Sequence, residues 1–155
     1  MINFEESGLP GSFFNFMEIP LKILEIDQMG YHVIIEGMIN KLKANVLIDS
    51  GASRTVIDLN RLNYFLDNPL THAYDKSVAG VGSGQITSYV TRIPRLQLGL
   101  SILEDLEVVA IDLNAINRNY ALYDLPHIDM VLGSDLLLQL GACIDYGERK
   151  LTFKN

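Results

Sequence analysis

Val46-Leu47-Ile48-Asp49-Ser50-Gly51-Ala52-Ser53 runs three apolar residues straight into a carboxylate, a hydroxyl, a glycine and small residues. It reads as a buried strand ending in an acid. The glycine lets the chain turn sharply beside the carboxylate, and the backbone N–H groups of such a turn can hold a carboxylate oriented and ionised. The Ser50 hydroxyl is free to hydrogen-bond across to a second copy of the loop. Asp-Ser-Gly is also an ordinary turn sequence, so this stretch alone leaves both readings open.

About eighty residues downstream, Met130-Val131-Leu132-Gly133-Ser134-Asp135-Leu136-Leu137 repeats the theme of an apolar strand and a glycine, now ahead of a short helix. The helix is expected over Asp135 to Leu140, capped by Ser134 and stopped by Gly141. Its leucines belong in the core, while Gly133 permits close approach to the acidic loop. Between the two motifs lies Ala79-Gly80-Val81-Gly82-Ser83-Gly84-Gln85, flanked by strand-like stretches at Tyr74 to Val78 and Ile86 to Arg92. It reads as a mobile hairpin tip. A phosphate-binding loop would need a following Lys-Ser/Thr and a helix, and neither is signalled.

The rest of the chain has an all-β texture. From Glu18 onward, short segments rich in Ile, Val and Leu are broken by turn residues roughly every eight to twelve positions. Ile19 to Ile26 and Tyr31 to Ile39 predict a hairpin about Asp27-Gln28-Met29-Gly30, and Leu42 to Ile48 a third strand reached through Asn40-Lys41. Leu59, Leu62 and Leu66 have helical spacing behind a cap at Asp58, and Ala142 to Phe153 predicts a closing hairpin about Tyr146-Gly147-Glu148-Arg149. Residues 1–17, with Phe4, Phe13, Phe14 and Phe16 around a Ser-Gly-Leu-Pro-Gly-Ser breaker, read as an N-terminal arm to a domain of residues 18–155. The arm is expected to pack on the core or an interface, or to lie in a cleft as a self-inhibitory segment.

The chain has 155 residues, 48% of them hydrophobic, and a formal net charge of -7. That length suits one domain. The charge disfavours nucleic acid and anionic membrane surfaces as partners. Uninterrupted apolar runs reach about four residues, as in Val108 to Ile111, against the ~20 needed to cross a bilayer. The first twenty residues carry no Lys or Arg, and one cysteine, Cys143, precludes an internal disulfide. A cytoplasmic protein is therefore expected. Cys143, between Ala142 and Ile144, is expected to be an inert buried thiol.

The order of these parts resembles the retropepsin-like aspartic proteases over about Ile19 to Phe153. The resemblance implies a small closed β-barrel with one or two short helices, in which two protomers each contribute one Asp-Thr/Ser-Gly loop to a single active site. It implies Asp49 as the catalytic carboxylate, with Ser50, Gly51, Ala52 and Ser53 completing its loop. Gly133 would lie in the bracing segment, and Gly80, Val81, Gly82, Ser83, Gly84 and Gln85 would form a flap over a peptide or protein substrate. The arm, the long segment Ile111 to Ile128 and serine in place of the commoner threonine depart from the smallest retroviral members.

Peptide hydrolysis by carboxylates needs one group to take a proton from water and another to donate one. Two carboxylates within ~3 Å share one proton and supply both functions. The other Asp-x-Gly, Asp145-Tyr146-Gly147, lacks the small hydroxyl residue and precedes Glu148-Arg149-Lys150, which suits an exposed turn. Asp58, Asp112, Asp129 and Asp135 have cap or surface explanations. A C2 homodimer supplies the second Asp49. His32, His72 and His127 lack metal-ligand spacing, Ser53 and Ser83 lack a nucleophile signature, and neither metal nor cofactor is expected. The expected function is an aspartic endopeptidase. The alternative is a catalytically inactive dimer of the same fold that binds peptides or serves as a scaffold.

Overall fold

The computed structural model describes residues 16–28, 30–69, 71–73 and 87–154. Along the described chain run β1 (Phe16–Pro20), β2 (Lys22–Ile26), β3 (Gly30–Ile39), β4 (Leu42–Ile48), β5 (Val56–Asp58), a 3-10 turn (Leu59–Arg61), α1 (Leu62–Phe65) and β6 (His72–Ala73). There follow β7 (Ser88–Leu98), β8 (Ser101–Ile111), α2 (Asn114–Ala121), β9 (Met130–Leu132), α3 (Ser134–Gln139), β10 (Cys143–Asp145) and β11 (Lys150–Lys154).

Turn chemistry explains the first meander. Asn40 and Lys41 both take positive φ, 48° and 72°, so β3 and β4 are joined by a two-residue turn whose twist matches that of the strands. Asp27 and Gln28, at 51° and 55°, begin the turn between β2 and β3 in the same way.

One sheet has the order β2-β3-β4-β9-β5-β8-β7-β6, and a second pairing between β3 and β7 brings it back on itself. The ring β3-β4-β9-β5-β8-β7 is thereby closed by hydrogen bonds, which is the expected barrel-like arrangement. A second sheet, β1-β11-β10, gathers both ends of the described chain.

Strand alternation sorts the apolar residues into two clusters. Val33, Ile35, Val46, Ile57, Val108, Ala110, Met130 and Leu132 face the larger one, together with Leu136, Leu151 and Phe153. Their sequence neighbours Ile34, Leu47, Val56, Val109 and Val131 face the smaller, which Leu113, Tyr120 and Ile128 cover.

Several expectations are corrected here. Phe16 and Met17, assigned to the arm, belong to β1 and pair with Lys154 and Phe153; residues 1–15 lie outside the described residues. Cys143 is exposed rather than buried, because β10 is the outer strand of its sheet. Ser134 does not cap α3: Gly133 occupies that position without a side-chain bond. Gly141 ends the helix as expected, its φ of +57° turning the chain so that Ala142 N–H reaches the Leu137 carbonyl. The long segment contains α2, which its asparagine-rich sequence did not signal. Among the described residues no helix is long and apolar enough to cross a membrane.

Candidate active site

Asp49 follows directly on the end of β4 and is exposed, beside β9, which lies between β4 and β5, parallel to the first and antiparallel to the second. The ladder continues one step past β4, where Asp49 N–H donates to the Leu132 carbonyl at 3.1 Å. The chain then turns back, with Ala52 N–H donating to the Asp49 carbonyl at 3.2 Å. Gly51 N–H donates to Asp49 Oδ1 at 2.8 Å, orienting the carboxylate with a backbone donor as the sequence predicts. Asp49, Ser50, Gly51 and Ser53 are exposed, and Ala52 is half-buried.

The second motif grips this loop from behind. Ser134 N–H donates to the Ala52 carbonyl at 2.8 Å, and the Ser134 hydroxyl donates to the Ser50 carbonyl. That contact, not helix capping, is what its side chain does. Gly133 N–H donates to Thr55 Oγ1 at 3.0 Å, and Thr55 Oγ1 donates in turn to Asp135 Oδ1 at 2.7 Å. The same carboxylate oxygen accepts Thr55 N–H at 2.8 Å, while Asp135 Oδ2 stands 3.5 Å from Arg54 Nε. A Cβ on Gly133 would fall 2.6 Å from both the carbonyl carbon and oxygen of Arg54, so only glycine allows the two segments to come this close.

Sequence reasoning singles out Asp49, its loop and Gly133, and the fold places the two segments side by side. It missed Thr55, and it gave Asp135 a cap or surface role when that residue is the brace between the motifs. The sequence signal available was their position, each two residues or fewer from a loop residue already singled out. Gly80 to Gln85, the expected flap, lies outside the described residues.

The remaining candidates fall elsewhere. Asp145 Oδ1 accepts Glu148 N–H at 2.8 Å within the closing turn. Asp58 caps the 3-10 turn through Asn60 N–H, yet it is wholly buried, with His127 Nε2 at 3.2 Å from its Oδ2. Asp129 is buried as well, holding Arg61 Nε at 3.0 Å and Asn45 N–H at 2.9 Å, so neither a cap nor a surface role describes it. Asp112 is exposed and accepts Asn114 N–H, a bond that lowers its pKa. His32 Nδ1 meets the Tyr120 hydroxyl, and His72 is exposed. Among the described residues no group of three or more His, Cys, Asp or Glu is placed to hold a metal ion.

Beside the loop lies a shallow apolar depression of about 310 Å³, lined by Ser50, Ser134, Leu137, Leu138, Ala142 and Ile144. Leu138 is 83% exposed on its rim, and the outer edge of β10 runs past it.

Residues 35–136 match the family model described as aspartyl protease, a span that contains the first motif and all but the last residue of the second. No curated protein matches the chain by sequence. Among solved structures, a retropepsin-like aspartic protease from Rickettsia conorii superposes with a TM-score of 0.55 at 15% identity, covering 89% of each chain. The EIAV protease complexed with the inhibitor HBY-793 gives 0.54 at 20% identity, over 79% of this chain and 99% of that one. The retroviral protease-like domain of Ddi1 from Leishmania major gives 0.53 at 20% identity, over 79% and 87%. These likenesses establish a retropepsin-like fold.

Proposed function

This chain belongs to the aspartyl protease family, and we propose that it is an aspartic endopeptidase in which two copies of Asp49 activate one water at a homodimer axis. The observation that carries the reading is the exposed Asp49 carboxylate, oriented by Gly51 N–H on a loop clamped by Ser134 and the Gly133-Thr55-Asp135 chain. An oriented, exposed acid with no second such loop among the described residues calls for a partner.

In the dimer one Asp49 carboxylate takes a proton from water as the oxygen attacks the scissile carbonyl, while its protonated twin donates to the carbonyl oxygen. Collapse of the tetrahedral species then breaks the C–N bond as a proton reaches the leaving amine. An extended peptide is held by strand-like main-chain pairing beneath residues 80–85, which act as the flap. The apolar depression at Ser50 supports the same assembly. A surface that starts at the catalytic loop and continues over exposed Leu138 to a strand edge unpaired among the described residues is suited to seat a second copy.

Cleavage of a peptide library by wild type and Asp49→Asn at several pH values tests the assignment. Loss of at least about a thousandfold is expected, the order of a missing acid-base partner. Equal activity in the two proteins would sink it.

A further inference from the structure

A cleft of about 460 Å³, larger than the depression at Ser50, is lined by none of the residues of the Asp49 loop or of the Gly133-Thr55-Asp135 brace. Two pieces of chain supply most of it: the segment after α1, from Leu66 to Pro69, and β7 from Val90 to Pro94. Asn40 ties the two together. Its Nδ2 donates to the Phe65 carbonyl at 3.1 Å, and its backbone N–H donates to the Arg95 carbonyl at 2.8 Å. The cleft is therefore held open by the fold itself.

Its lining combines apolar surface with unbalanced charge. Leu66, Pro69, Val90 and Pro94 supply the apolar part. Arg92 brings a permanent positive charge, but its guanidinium is already engaged: Nη1 lies 2.6 Å from Asp105 and Nη2 3.8 Å from Glu107, both on β8. Asp67 is exposed and has no hydrogen bond or ion pair among the described residues. An anion entering the cleft would meet Asp67 and Glu107 and find Arg92 taken. A cation with an apolar body would gain Asp67 as counter-charge and cover apolar lining that is now wet. The volume falls in the range of small-molecule sites, about 300–1,000 Å³.

We propose that this cleft binds a small organic cation, an apolar body carrying one ammonium or guanidinium group, with Asp67 as its counter-charge. The site does not depend on the chemistry of Asp49.

Phenethylammonium is the test probe, and 3-phenylpropionate is its anionic counterpart of similar shape. Titrations at about pH 8, where an ordinary imidazole is neutral and His72 on the rim adds no charge of its own, are followed by amide NMR. Phenethylammonium should move the signals of Leu66, Asn68 and Val90, and 3-phenylpropionate should leave them in place. Asp67→Asn should weaken binding about two- to fivefold, the range of an exposed ion pair. Asp67→Lys should reverse the preference in favour of 3-phenylpropionate. Asp124→Asn removes the same charge from an exposed carboxylate outside the cleft and should bind as wild type does. Because Asp67 holds no partner among the described residues, its variants probe the ligand and not the barrel.

Unmoved signals in wild type up to the solubility limit of phenethylammonium overturn the proposal. So do equal binding of the two probes and an affinity unchanged in both Asp67 variants. Tighter binding of a capped peptide with lysine between two leucines would also overturn it, by making the cleft a seat for a protein side chain.

Discussion

Thr55 is 1% exposed, and its hydroxyl is used in both directions, accepting Gly133 N–H and donating to Asp135. Thr55→Val keeps the volume and the branched shape but strands a buried N–H and removes a donor from a carboxylate. The expected cost is about 1–3 kcal/mol of stability, with Thr55→Ser largely restoring it; urea denaturation of the three proteins measures both. A loss confined to a few tenths in Thr55→Val would mean that the brace holds nothing. This is also where sequence reading reached its limit at single residues. Asp49, in an ordinary turn sequence when taken alone, gains weight from the second motif downstream, and Gly133 from repeating the context of an apolar strand and a glycine. Asp135 and Thr55 are 80 positions apart, and nothing in either neighbourhood names the other. A polar pair of that kind exists only once the strands have been brought together.

At the level of elements, the segments that were legible are those whose turns are locally determined. Asn40-Lys41 accepts positive φ and places β3 against β4. α2 is the opposite case, since Asn114, Asn117 and Asn119 are poor helix formers and the helix stands on what it touches. Tyr120 is the largest of those anchors. Burial pushes its phenol up to about 12, against about 10 in an unfolded chain. Between those values the native state keeps a proton that the unfolded state has released. Stability from this group is thus complete below about pH 10 and is lost as pH rises toward about 12, at up to about 1.4 kcal/mol per pH unit. Denaturation midpoints measured from pH 8 to 11 should fall more steeply in wild type than in Tyr120→Phe, which has no phenol to ionise. Parallel curves would show that Tyr120 ionises freely in the folded protein.

For the whole molecule the proposed function turns on a second carboxylate. Strand spacing made an all-β fold legible and the resemblance implied its barrel, whereas of the β1-β11-β10 sheet only the β10-β11 hairpin was legible, because β1 begins inside what composition marked as an arm. That sheet places the edge of β10 and exposed Leu138 near Ser50, the side on which the proposed dimer would bring a twin loop. If each active site needs both copies of Asp49, activity must depend on pairs of chains and not on chains. Wild type and Asp49→Asn have the same interface, so equal amounts left to exchange subunits form dimers at random. About one quarter of those dimers are then wild type on both sides. The mixture should retain about one quarter of the activity of wild type at the same total concentration. Sites that work with a single Asp49 would retain about one half. The two values differ twofold at a single mixing ratio, and a series of ratios separates a quadratic from a linear dependence on the wild-type fraction. A linear result would remove the shared site even if Asp49→Asn alone is inactive, because it would place both halves of the acid-base chemistry within one chain.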